Sequence, residues 1–257
     1  MPLEEMLILT TPPDCLARAR QFGLTLGHAA YHLGRGGTLY RTNTPTPPRG
    51  GLMVLDAPQP DLTGDANATC QQILRECAAR SFSGVICRFE PGRFTRQLVS
   101  QLDGLLSRRH LTLFVPEVFG PQVQTALVLI SSALSGGSYQ RRLEQAAQEH
   151  GGAQRLAVQL DRVAEDFPLP SPTGCGTPLT RQALAKQINR RATCVFFSDE
   201  LCARYFTYMS RESGAHFVLF DDAGSLRKKL HLARQLGIRR AVGCCEQLDD
   251  LLEELLS

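Results

Sequence analysis

The sequence predicts an α/β protein folded as a (β/α)8 barrel of the TIM type. It is expected to be somewhat irregular, one domain over residues 1–257 with a small insertion at about 162–214 before the last strand. Three observations predict it. The chain has 257 residues, close to the roughly 250 that one such barrel uses. Short apolar runs alternate with longer helical patterns, which implies parallel strands joined by helical crossovers. No G-x-G-x-x-G follows the first apolar run, which continues as TTPPD, so the open dinucleotide-binding sheet lacks its fingerprint.

The elements follow in order. Leu7–Thr10 reads as the first strand, and Pro13–Gln21 as a helix opened by a proline and an acid. Leu24–Ala30 is a second strand. Gly34–Gly50, rich in glycine and proline, is a loop, and Leu52–Asp56 a third strand. Thr69–Arg80 is a helix with Ile73, Leu74, Cys77 and Ala78 on one face. Gly84–Phe89 is the fourth strand, Phe94–Ser107 a helix, Leu111–Val115 and Ala126–Ser131 strands, Tyr139–His150 a helix and Leu156–Leu160 a strand. Residues 167–178 read as a proline- and glycine-rich loop and Thr180–Asn189 as a helix, with 194–197 and His216–Phe220 extended. Ser225–Leu236 is a helix stopped by Gly237, Arg239–Gly243 the last strand, and the leucines at 248, 251, 252, 255 and 256 mark one buried face of a terminal helix.

Composition excludes several classes. Hydrophobic residues make up 43% and charged residues 21%, which argues against disorder. A net charge of +3, with arginines in scattered pairs, does not predict nucleic-acid binding. No apolar run is long enough to span a membrane, and MPLEEMLILTTPP lacks the basic start of a signal peptide, so a cytoplasmic protein is expected. The nine cysteines show no C-x-x-C and read as thiols in a reducing compartment. No metal site and no cofactor is expected, and the oligomeric state is left open.

In a barrel, function sits where the strands end at their C-termini. Those ends carry Thr10, Tyr31, Asp56, Arg88, Glu90, Pro116, Glu117, Ser131, Ser132, Asp161, Asp221 and Asp222. The set is polar and acidic and suits a hydroxylated ligand.

Two segments carry a family resemblance. HFVLFDDAGSLRKKLHLARQLGIRRAVGC (216–244) resembles the final part of glycoside hydrolase family 18 barrels, the spore-germination branch above all. Phe220, Asp221, Asp222, Ser225 and Lys229 match its order and spacing. SFSGVICRFEPG (81–92) is similar to the family's fourth strand, D-G-x-x-x-D-x-E, with Gly84, Val85, Phe89 and Glu90 in place. LTLFVP (111–116) resembles the strand that follows. The resemblance implies substrate-assisted retaining hydrolysis. A strand-4 Glu protonates the leaving oxygen, and a neighbouring Asp orients the N-acetyl group that attacks the anomeric carbon.

The departures bear on that chemistry. Ser83 takes the first Asp position and Arg88 the last. Two apart on a strand, Arg88 and Glu90 share a face, and an ion pair between them is expected. A guanidinium favours ionised Glu90 and cannot position an acetamide. The family's strand-6 Met-x-Tyr-Asp is missing, and Cys244-Cys245 stands where a tryptophan floors the sugar site; the chain has no tryptophan.

The expectation is a family 18-like barrel that is impaired or inactive, binding a chitin- or peptidoglycan-type glycan or acting as a structural partner. Glu90 is the candidate general acid; Tyr31, Asp56, Arg88, Glu117, Ser132 and Asp221 are candidate ligand-binding residues. The alternatives are an active divergent hydrolase using Glu90 and a barrel enzyme acting on a small metabolite. No nucleic acid or membrane partner is expected.

Overall fold

The computed structural model describes residues 3–44, 48–58, 62–171, 174–191 and 194–257. After the short helix α1 (Leu3–Met6), eight strands run parallel. They are β1 (Leu7–Thr11), β2 (Thr25–Leu33), β4 (Leu52–Asp56), β5 (Gly84–Arg88), β6 (Thr112–Pro116), β7 (Leu127–Ser131), β8 (Leu156–Leu160) and β14 (Ala241–Cys244). Pairing of β1 with both β2 and β14 closes them into the predicted barrel. Between β2 and β4, β3 (Leu39–Arg41) pairs antiparallel with β2, inside the stretch expected to be loop.

Strand side chains alternate faces, and here both faces are apolar. Ile8, Leu52, Val54, Ile86, Phe114, Leu129, Ala157 and Val242 fill the barrel. β2 contributes Gly27, where an added Cβ would meet Val54, Thr10 and Ile86 side chains at 3.0–3.3 Å, so the glycine makes room for its neighbours. The opposite set packs outward on helices α2 (Leu16–Ala19), α3 (Ala66–Arg80), α4 (Arg93–Ser107), α5 (Tyr139–Glu149) and α7 (Ala223–Gln235). Each fully buried Leu or Val in these layers is worth about 1.5–3 kcal/mol relative to exposure.

Asp65 caps α3 through the Asn67 amide at 2.9 Å, and Asp222 caps α7 through the Ser225 amide at 2.8 Å. In α4, Asp103 is 5% exposed and gathers the 124–126 segment, accepting from the amides of Gln124, Thr125 and Ala126 and from the Thr125 hydroxyl.

A second, antiparallel sheet lies between β8 and α7. It is built from β9 (Ala164–Leu169), β10 (Thr177–Pro178), β11 (Phe196–Ser198), β12 (Ala203–Ser210) and β13 (Gly214–Phe220), in the order β10-β9-β13-β12-β11. Phe206, Val218 and Phe220 pack on Leu184 of α6 (Arg181–Arg191), while Phe167, Ala203 and Leu219 form the other face.

Several local expectations are corrected. Strand β9 enters the predicted 167–178 loop, and β12 was not foreseen. His216–Phe220 is extended but belongs to the inserted sheet, so Asp221 and Asp222 do not end a barrel strand. The terminal helix is two short ones, α8 (Cys245–Leu248) and α9 (Leu252–Leu256), and residues 13–22 mix α and 3-10 turns.

Candidate functional site

The fourth barrel strand is β5, so the SFSGVICRFEPG segment sits where the resemblance requires. Gly84 starts it against β6: an added Cβ would lie 2.2 Å from the Thr112 carbonyl oxygen. Ile86 points into the barrel, and Arg88 follows on the same face at the mouth. Asp56 is its cross-strand neighbour on β4. Arg88 donates from Nε and Nη2 to the two Asp56 carboxylate oxygens, both at 2.7 Å. The expected Arg88–Glu90 pair is therefore replaced by an Arg88–Asp56 pair. Register explains it: the parallel partner carries a carboxylate at the facing position, whereas Glu90 lies beyond the end of the strand. Hydrogen bonding to Asp56 raises the Arg88 pKa above its usual value.

A cavity of about 400 Å³ opens at this mouth. Ile86, Leu129 and Val242 form its floor; Arg88, Glu90, Gln159, Asp161, Cys244 and Gln247 stand around it. The exposed Glu90 carboxylate makes no hydrogen bond or ion pair among the described residues, and the Glu90 backbone carbonyl accepts from Thr95 Oγ1 at 2.9 Å. Opposite, Asp161 accepts from Ser131 Oγ at 2.7 Å and from Gln159 Nε2 at 3.0 and 3.1 Å. The mouth thus has an apolar floor, one neutralised guanidinium–carboxylate fork and two further carboxylates. These groups can hydrogen-bond sugar hydroxyls.

A cavity of about 440 Å³ lies elsewhere, beside Pro12, Pro13, Leu16 and His28. Among the described residues, Asp14 is the one carboxylate lining it. Burial holds the His28 imidazole below its usual pKa.

The structure brings Asp56, Arg88 and Glu90 together but places four expected site residues elsewhere. Tyr31 is 2% exposed and turned outward, its hydroxyl donating to Glu76 of α3 at 3.0 Å. A register shift between His28 and Tyr31 puts it on that face. Burial, together with Glu76, holds its phenol above the usual pKa. Glu117 follows Pro116 on the opposite face and pairs with Arg142 of α5. Ser132, fully buried, donates to the Asp161 carbonyl at 3.0 Å. Asp221 is held by Lys229 Nζ at 2.8 and 2.9 Å, by Ser225 Oγ at 2.7 Å and by the Val163 amide at 3.0 Å. It ties the inserted sheet to α7 rather than lining the mouth. Gln159 and Gln247 are mouth residues that sequence reasoning missed; Gln159, two after the inward Ala157, was legible from strand alternation.

No family's sequence profile matches this chain, and no curated protein does. Among solved structures, it is similar to a chitinase from Chromobacterium violaceum (TM-score 0.70, 15% identity, covering 98% of each chain). It is also similar to the spore cortex-lytic enzyme SleL of Bacillus megaterium (TM-score 0.65, 16% identity, 98% of this chain and 74% of that one). A family 18 chitinase from Cycas revoluta, solved in complex with (GlcNAc)3, gives a TM-score of 0.62 at 11% identity over 98% of each chain. The fold is that of a glycoside hydrolase family 18-like barrel. Among the described residues, no helix is long and apolar enough to cross a membrane.

Proposed function

We propose that this barrel binds an N-acetylglucosamine-type glycan at its mouth without the substrate-assisted hydrolysis of the enzymes it resembles. One observation carries the reading. The residue two before Glu90 is an arginine, and its guanidinium is locked onto Asp56 by two 2.7 Å bonds. The family chemistry needs a carboxylate there to hold the acetamide and to raise the pKa of the acid. Asp56 is committed to Arg88, and Asp161 is committed to Ser131 and Gln159. The likeness to chitinases is one of fold, so the ligand class rests on the polar mouth together with that analogy.

A second reading is hydrolysis by Glu90 alone. It is favoured by the freedom of the Glu90 carboxylate, which Arg88 does not engage. A phosphorylated metabolite finds less support, because Asp161, beyond the seventh strand, presents a carboxylate to any phosphate there. We take the inserted sheet to be part of one domain with the barrel. The Asp221–Lys229 pair and the Arg162–Asp250 and Arg181–Asp249 pairs support this. Nine free thiols support a reducing, cytoplasmic setting.

Isothermal calorimetry with chitooligosaccharides tests the binding reading. Saturable heat in the wild type, lost on Asp161→Ala and on Gln159→Ala, is expected; no heat from any chitooligosaccharide or peptidoglycan fragment contradicts it.

A further inference from the structure

Away from the mouth, the turn that follows β6 meets the end of α5. Glu117 opens that turn, Glu149 is the last residue of α5, and His150 comes next. One ligand atom from each lies within 4.8 Å of the others. The His150 side chain is only 10% exposed. Its Nε2 is buried, has no hydrogen-bond partner among the described residues, and stands 3.8 Å from Glu117 Oε1. Leaving such a nitrogen unsatisfied is costly. The ring is held in place by Gly120, where an added Cβ would lie 2.4 Å from His150 Cε1.

Among the described residues, each carboxylate accepts a hydrogen bond through one oxygen. Arg142 donates to Glu117 Oε2, and Gln145 Nε2 donates to Glu149 Oε1 at 2.8 Å. Glu117 Oε1 is left facing the buried nitrogen, and Glu149 keeps a second oxygen free of that hydrogen bond. Outer donors that fix one carboxylate oxygen and leave the other free are the usual surroundings of metal ligands.

We propose that Glu117, Glu149 and His150 bind a divalent transition-metal ion of the zinc class. One imidazole and two carboxylates suit such an ion and leave a position for water. Two carboxylates against the single Arg142 guanidinium leave net negative charge to receive it. With zinc–ligand bonds of about 2.0–2.2 Å, the 3.8 Å gap between His150 Nε2 and Glu117 Oε1 has to close by only a few tenths of an ångström. The exposed Glu149 side chain, within 4.8 Å of both, has to swing in to complete the set. The site shares no residue with the mouth cavity, so the ion fastens the turn after β6 to α5 and takes no part in glycan chemistry. Cysteine and histidine spacing could not reveal it, because Glu117 reaches the other two ligands only through the fold.

Titration of the metal-stripped full chain with Co2+, read by absorption, tests this. Thiolate ligation gives a near-ultraviolet charge-transfer band, which separates this site from the nine thiols. The expected result is one Co2+ per chain with visible d–d bands of nitrogen and oxygen ligation. Glu149→Gln and His150→Gln, with unchanged far-ultraviolet circular dichroism, should each weaken binding at least about tenfold. Zn2+ should raise the unfolding midpoint of the wild type and not of these variants. No binding, a thiolate band accounting for all bound ion, or equal affinity in wild type and both variants overturns the proposal.

Discussion

Arg88 and Asp56 face each other at the barrel mouth as cross-strand neighbours, joined by two hydrogen bonds of 2.7 Å. Their side chains are 44% and 35% exposed, so the pair shapes the mouth more than it stabilises the fold. Arg88→Ala is expected to cost no more than about 1 kcal/mol in urea unfolding. In calorimetry the same variant should change glycan affinity several-fold. A large stability loss with unchanged affinity would show the pair to be a structural strut.

Lys229 and Asp221 present the opposite case, a salt bridge with both side chains fully buried. Lys229→Met leaves the Asp221 carboxylate buried without its cation and is expected to cost about 3–5 kcal/mol. The double change Lys229→Met, Asp221→Asn should cost less than Lys229→Met alone, because it removes the unpaired charge. Chemical denaturation of both proteins checks this; additive losses would contradict it.

Asp103 sets a pH dependence. Burial alone would raise its pKa, but hydrogen bonds from Thr125 and from the amides of Gln124, Thr125 and Ala126 outweigh it, so the folded-state pKa is depressed. The unfolded chain then takes up the proton first. The stability from Asp103 is fully present above the ordinary carboxylate value of about 3.9 and is lost as pH falls through the folded value. Asp103→Asn should cost about 1.5–3 kcal/mol at neutral pH and flatten the acid side of the stability curve. An unchanged acid limb would count against this.

Gly84 stands where β5 and β6 come closest. Gly84→Ala would set a Cβ 2.2 Å from the Thr112 carbonyl oxygen, a backbone atom that cannot swing away. A loss of about 1–3 kcal/mol or more is expected, with the thermal midpoint as readout. A neutral substitution would contradict this close approach of the two strands.

The barrel was legible because its strands are short apolar runs, each buried on both faces, as Met53, Val54 and Leu55 are. Strand β12, ARYFTYMS, was missed because only two of its eight residues are buried and its partner lies across a turn. At the site, alternation put Asp56 and Arg88 on the inward face, where the structure pairs them. It failed for Tyr31, where a register shift on β2 reverses the face. Glu117 and Ser132 are one residue past the inward positions Pro116 and Ser131, so their side chains leave the mouth. The Arg88–Glu90 pairing failed because the competing carboxylate lay on another strand, in a register that the sequence does not display.

Product analysis by mass spectrometry decides whether the barrel cleaves the glycans it binds. Wild type and Glu90→Gln are incubated with chitooligosaccharides and peptidoglycan fragments that bind in calorimetry. The account predicts intact glycans from both proteins. Shortened glycans from the wild type, absent with Glu90→Gln, would contradict it and make the chain a hydrolase with Glu90 as its acid.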